Sequence, residues 1–130
     1  MHNSVVVHLD DDDDDIDLLR QAMALKNHHR LVSFKRGDEL LQYLKESYSF
    51  TCLIVLDINL PVGDGVEVLK SIKQNRSLAS IPVVMLSSGG NAPQIKALTT
   101  YGVAVITKPM VFEQLEDIAD QLLALCKDQQ

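Results

Sequence analysis

Asp57 closes an apolar run, Cys52-Leu53-Ile54-Val55-Leu56, and is followed by Ile58-Asn59-Leu60-Pro61 and then Asp64-Gly65. A short run of Leu, Ile and Val that stops at a turn signal reads as a strand buried on both faces. An acid at the end of such a strand sits where open parallel sheets bind their ligands. Other apolar runs also end in reactive residues. Val5 to Leu9 ends at Asp10 and Asp11, Pro82 to Leu86 ends at Ser87, and Val103 to Thr107 ends at Lys108. Clustered carboxylates without a thiolate or imidazole partner are hard oxygen ligands, suited to Mg²⁺ or Mn²⁺ rather than Zn²⁺. Without a cation they would repel and raise one another's pKa. Aspartate is also a covalent nucleophile for phosphoryl groups. Phosphoryl transfer depends mainly on positioning and charge stabilisation. In that chemistry Lys108 would supply a cation and Ser87 a hydrogen-bond donor.

The elements that must position these residues alternate. Val5 to Leu9 is a strand by its β-branched content. Ile16, Leu18, Leu19, Ala22, Met23 and Leu25 then recur at helical spacing. Leu31 to Phe34 is a short strand, and Leu40 to Leu44 lies in a short helix. Cys52 to Asp57 is the third strand, and Val66, Val68, Leu69 and Ile72 mark a helix ending near Asn75. Pro82 opens the fourth strand, where a missing N–H is tolerated. Asn91 and Pro93 suit the start of a fourth helix. Gly102 reads as that helix's end, before the strand Val103 to Thr107. Phe112, Leu115, Ile118, Leu122 and Leu125 form the stripe of a last helix. This alternation predicts an α/β fold, a doubly wound parallel sheet of five strands with helices on both faces. It is read as one domain over residues 1–130, with no linker, repeat or output domain.

Composition bounds the function. The chain has 130 residues, is 46% hydrophobic and carries a net charge of -6. That supports a packed core and argues against disorder. No basic stripe is present, which argues against nucleic-acid binding. No stretch is long enough to span a membrane and the first residues lack a signal-peptide pattern, so a cytoplasmic protein is expected. Cys52 and Cys126 show neither metal-site nor disulfide-framework spacing, and read as buried reduced thiols.

Plain structural roles absorb several suggestive residues. Asp13, Asp14 and Asp15 suit a helix N-terminus. The end of the first strand selects Asp10 and Asp11, rather than Asp11 and Asp12, as the acid pair. Asp64-Gly65 reads as a turn and cap. His8, mid-strand, reads as a packed histidine, and His28 and His29 lie near a helix end where a cation is favourable.

With these residues in order, the chain resembles the receiver domain of two-component response regulators, and most of all the small stand-alone receivers. The resemblance rests on Leu9-Asp10-Asp11, on Leu56-Asp57-Ile58-Asn59-Leu60-Pro61 with Asp64-Gly65, on Val84-Met85-Leu86-Ser87-Ser88, and on Thr107-Lys108-Pro109. It implies a flavodoxin-like sheet in the order 2-1-3-4-5. It implies that Asp57 accepts a phosphoryl group from a histidine kinase or a histidine phosphotransfer protein. Asp11 and Asp57 match the direct Mg²⁺ ligands, Asp10 the acid that reaches the metal mainly through water, and Asn59 the ligand through its backbone carbonyl. Ser87 and Lys108 match the hydroxyl and lysine that meet the acyl phosphate. The expected function is a signalling phosphoacceptor, not a metabolic enzyme, whose output is protein binding or phosphorelay. A homodimer through the face of the fourth helix, fifth strand and last helix is a further partner this implies. One position departs from the pattern. Receivers often carry Tyr or Phe three residues before the lysine, and Val105 stands there. Val105 is the feature that favours the alternative, a non-phosphorylated pseudo-receiver scaffold; the complete acid, hydroxyl and lysine set opposes it. A haloacid-dehalogenase-like phosphatase would need a second acid two residues past its nucleophile, where Asn59 stands.

Overall fold

The computed structural model describes residues 5–57, 65–87, 102–108 and 112–127. The strands are β1 (Val5–Leu9), β2 (Leu31–Phe34), β3 (Thr51–Asp57), β4 (Val83–Ser87) and β5 (Ala104–Thr107). The helices are α1 (Asp13–Leu25), α2 (Gly37–Ser47), α3 (Gly65–Gln74) and α4 (Phe112–Lys127). All neighbouring strands pair in parallel, in the order β2-β1-β3-β4-β5. The expected strand order is present, and helices follow β1, β2, β3 and β5. The fourth helix expected after Asn91 lies outside the described residues. Gly102 adopts the left-handed conformation, φ 70°, that suits the residue after a helix.

Strand alternation sorts the apolar residues into two cores. Val6, Leu53, Val55, Val84 and Leu86 face α1 and α4, where Leu19, Ala22, Met23, Ile118 and Leu122 close over them. Val7, Leu9, Ile54, Leu56, Val83 and Met85 face α2 and α3, packing on Leu40, Leu44, Leu69 and Ile72. Every residue of β3 is buried, as a central strand covered on both sides requires. Because the strands are parallel, their C-terminal ends share one edge of the sheet. Leu9 lies beside Leu56, Asp57 beside Leu86, and Ser87 beside Thr107. That edge carries the acids, the serine and the lysine.

At the other end of the sheet the structure corrects the reading of the cysteines. Cys52, at the start of β3, and Cys126, in the last turn of α4, form a disulfide with Cα atoms 4.9 Å apart. They are not free thiols. A sequence separation of 74 carries no pairing signal; only the packing of α4 against β3 brings the two sulfurs together. Among the described residues, no helix is long and apolar enough to cross a membrane.

Candidate functional site

The pocket begins with the two central strands. Asp10 follows directly on β1, is 1% exposed, and its backbone N–H donates to Phe34 O at 3.0 Å. Its Oδ1 accepts the backbone N–H of Asp12 at 3.0 Å. Asp57 ends β3 and is also buried. Asp11 is exposed at the rim, yet carboxylate oxygens of Asp10, Asp11 and Asp57 lie within 4.8 Å of one another. Asp12 turns away to cap α1, accepting from Asp14 N–H at 2.8 Å and Asp15 N–H at 3.3 Å. The aspartate run thus divides its labour at the expected boundary, with Asp10 and Asp11 in the pocket and Asp12 on the helix.

Lys108 reaches the same acids from β5. Its backbone N–H donates to Ser87 O at 2.7 Å, which ties the start of the lysine's loop to the end of β4. Its Nζ donates to Asp10 Oδ2 at 3.1 Å, Asp15 Oδ2 at 2.9 Å and Asp57 Oδ2 at 3.0 Å. Asp15 is the partner that sequence reasoning assigned only to the helix N-terminus. Its reach toward Lys108 follows from how the first turn of α1 lies over the sheet edge. Burial works against the charged lysine, but the hydrogen bond to Asp15 and the charges of Asp10 and Asp57 hold its pKa above the ordinary value. Asp10 behaves oppositely. Burial pushes its pKa from 3.8 up to about 6, although the Asp12 N–H and Lys108 favour the ionised form. One ammonium therefore serves more acids than it can neutralise.

Ser87 is fully buried at the end of β4, adjacent to Lys108 in the hydrogen-bond pattern. α3 opens on Gly65 against the Asp57 backbone, and a Cβ there would collide with the Asp57 carbonyl oxygen. The glycine read as a turn residue is thus required by close approach to the pocket. Val105 is half-buried and packs against the core. Asn59, Asp64, the Ser88 to Tyr101 segment and Pro109 lie outside the described residues. His8 is buried beside Asp10, and burial lowers its pKa to about 3, so it is neutral. A cavity of about 80 Å³ lies next to the pocket, with His8, Asp10, Asp15 and Lys108 as its polar lining.

The donor set fits a hard divalent cation. It is all oxygen, its carboxylates converge, and no thiolate takes part. Asp10, Asp11 and Asp57 would hold the cation, which would offset the negative charge that Lys108 alone leaves over.

Fold and pocket together define a flavodoxin-like α/β domain with a strand-end acid site. The response regulator receiver domain model matches residues 6–120, and the chain belongs to that family of phosphorylation-based signalling domains. It is similar to response regulator Rcp1 of Synechocystis sp. (strain ATCC 27184 / PCC 6803 / Kazusa), with 32% identity over 99 residues, covering 72% of this chain and 67% of that protein. It also matches protein-glutamate methylesterase/protein-glutamine glutaminase 2 of Hahella chejuensis at 30% identity, over 95% of this chain but only 34% of that enzyme. Among solved structures, the phosphorylated cyanobacterial phytochrome response regulator RcpA superposes with a TM-score of 0.84 at 31% identity, covering 100% of this chain and 97% of that one. The Mn²⁺-bound form of Rcp1 gives 0.77 at 30% identity, covering 93% and 92%.

Proposed function

We propose that the chain takes a phosphoryl group from a phosphohistidine onto Asp57, with Mg²⁺, and signals through protein binding or phosphorelay. The observation that carries this reading is the convergence of Lys108 Nζ on Asp57 and Asp10, with the Asp11 carboxylate alongside. An Asp57 oxygen attacks phosphorus, a P–O bond forms, the P–N bond breaks, and the donor imidazole, already protonated on its other ring nitrogen, leaves as the neutral ring. Bound Mg²⁺ would keep the acids ionised and draw a phosphoryl oxygen toward them. Asn59 would add its backbone carbonyl to Asp10, Asp11 and Asp57 as a ligand. Lys108 would move from the Asp57 carboxylate to a phosphoryl oxygen, and Ser87 would donate its hydroxyl to another. The Mn²⁺-bound relative and the all-oxygen donor set support a divalent metal. Val105 cannot act as a ring switch, so the output would pass through Ser87 and the loop after it. The donor would be a sensor histidine kinase or a histidine phosphotransfer protein.

Intact mass after incubation with acetyl phosphate and Mg²⁺, beside Asp57→Asn, tests the reading. One phosphate adduct that requires Mg²⁺ and disappears in the variant supports it. Folded, metal-binding protein that gains no adduct from acetyl phosphate or from kinases would instead favour a pseudo-receiver.

A further inference from the structure

A buried imidazole approaches the acid pocket from inside the sheet. His8 precedes Leu9 on β1 and is 1% exposed. The register sets it beside Ser33 of β2, and its Nδ1 lies 3.1 Å from Ser33 Oγ. Its other ring nitrogen lies 3.8 Å from Asp10 Oδ2. Among the described residues, His8 Nε2 is the buried side-chain polar atom left without a hydrogen-bond partner. A valine or leucine would fill this strand position without that cost. The imidazole also lines the cavity that Asp10 and Lys108 line.

The two tautomers differ in what they present to the pocket. If Ser33 Oγ–H donates to Nδ1, the ring proton is on Nε2 and faces the Asp10 carboxylate. If Nδ1 carries the proton, an Nε2 lone pair faces that same negative oxygen. Electrostatics favours the first. We propose that His8 is a positioning residue for the acid pocket: the Asp10 charge selects the Nε2–H tautomer, Ser33 holds the ring by donating to Nδ1, and the Nε2–H orients the Asp10 carboxylate toward the divalent cation. This rests on the metal and phosphoryl-transfer reading above. Lys108 Nζ and His8 Nε2 address the same oxygen, Asp10 Oδ2, at 3.1 Å and 3.8 Å. When Lys108 turns to a phosphoryl oxygen, His8 Nε2–H closes from 3.8 Å to hydrogen-bond distance of Oδ2 and holds the carboxylate in place. Hydrogen-bond partners of metal ligands commonly act in this way, fixing ligand orientation from one shell out.

The experiment pairs a direct and a thermodynamic readout on the full chain. Long-range ¹H–¹⁵N NMR of the imidazoles, with the His8 signals assigned by their loss in His8→Phe, reports the tautomer. The expected result is a proton on Nε2 in the unsubstituted chain and in Ser33→Ala, with the Nδ1 resonance of Ser33→Ala shifted by loss of its donor. Calorimetric titration with Mn²⁺ reports affinity. His8→Phe should weaken it about tenfold. His8→Gln, which keeps an N–H donor near the Nε2 position, should recover most of the loss. A purely structural role would lower the melting temperature of both variants without separating them in Mn²⁺ affinity. A proton on Nδ1 overturns the proposal. So does Mn²⁺ affinity within about twofold of the unsubstituted chain in both His8→Phe and Ser33→Ala. If His8→Phe does not fold, the His8 signals are assigned by their loss in His8→Gln, and the tautomer and Ser33→Ala still decide. An unsubstituted chain that binds no Mn²⁺ refutes the metal reading itself, whereas binding indifferent to His8 refutes this inference alone.

Discussion

Asp10→Asn should make the metal-free protein more stable at neutral pH. The substitution keeps the size of the side chain and an oxygen to accept the Asp12 N–H, and removes the charge together with the Oδ2 acceptor of Lys108, whose Nζ keeps Asp15 and Asp57. In the folded chain the Asp10 pKa rises from 3.8 to about 6, through burial that Asp12 and Lys108 only partly offset. Since one pKa unit is 1.36 kcal/mol, that rise corresponds to about 3 kcal/mol of destabilisation once Asp10 is ionised in both states. Below pH 3.8 the acid is protonated whether folded or unfolded, and its charge contributes no difference. Between 3.8 and about 6 the unfolded chain releases its proton first, so stability falls as pH rises. Above about 6 the full penalty is present. Urea denaturation in EDTA across this pH range measures it. At pH 7.5 the variant should exceed the unsubstituted chain by up to about 3 kcal/mol, less the hydrogen bond that Lys108 loses, a midpoint shift on the order of 1 M. The gap should close on acidification. Saturating Mg²⁺ should also narrow the gap, since the ionised acid then gains a counter-charge. A gap independent of pH, or an asparagine variant less stable at pH 7.5, would refute the reasoning.

Further outcomes follow from the same geometry. Lys108→Met removes the ammonium from Asp10, Asp15 and Asp57 and should destabilise the metal-free fold by about 3 kcal/mol. It should also tighten Mg²⁺ binding, because lysine and cation compete for the same oxygens; unchanged or weaker Mg²⁺ affinity by titration would count against that competition. Gly65→Ala drives a Cβ into the Asp57 carbonyl and should lower stability by about 1–3 kcal/mol and slow phosphorylation by acetyl phosphate. Normal rates in a folded variant would contradict the close approach. Opening the Cys52–Cys126 disulfide, which spans 74 positions, should cost about 4 kcal/mol by the loop-entropy relation, read as a lower melting temperature in reductant. No change in Cys52→Ala on adding reductant is the matching control.

Much of the site is legible in the sequence, for a local reason. A buried strand needs an unbroken apolar run, so the residue that breaks it marks the sheet edge. That rule located Asp10, Asp57, Ser87 and Lys108, and the parallel topology placed their strand ends together. The choice of Asp10 and Asp11 over Asp11 and Asp12 is legible too, because the first strand ends at Leu9; that Asp12 caps α1 came only from the structure.

What the sequence by itself determined is the set of elements, their order and the chemical types at their ends. These follow from short-range periodicity and turn chemistry, which act over a few residues. Only the tertiary structure decided that Asp15 shares Lys108, 93 positions away, that Ser33 meets His8, and that Cys126 reaches Cys52. Each depends on how a helix lies on the sheet or how two strands are set in register. Those placements are fixed by the packing of two whole cores at once, and no local pattern in the chain encodes them.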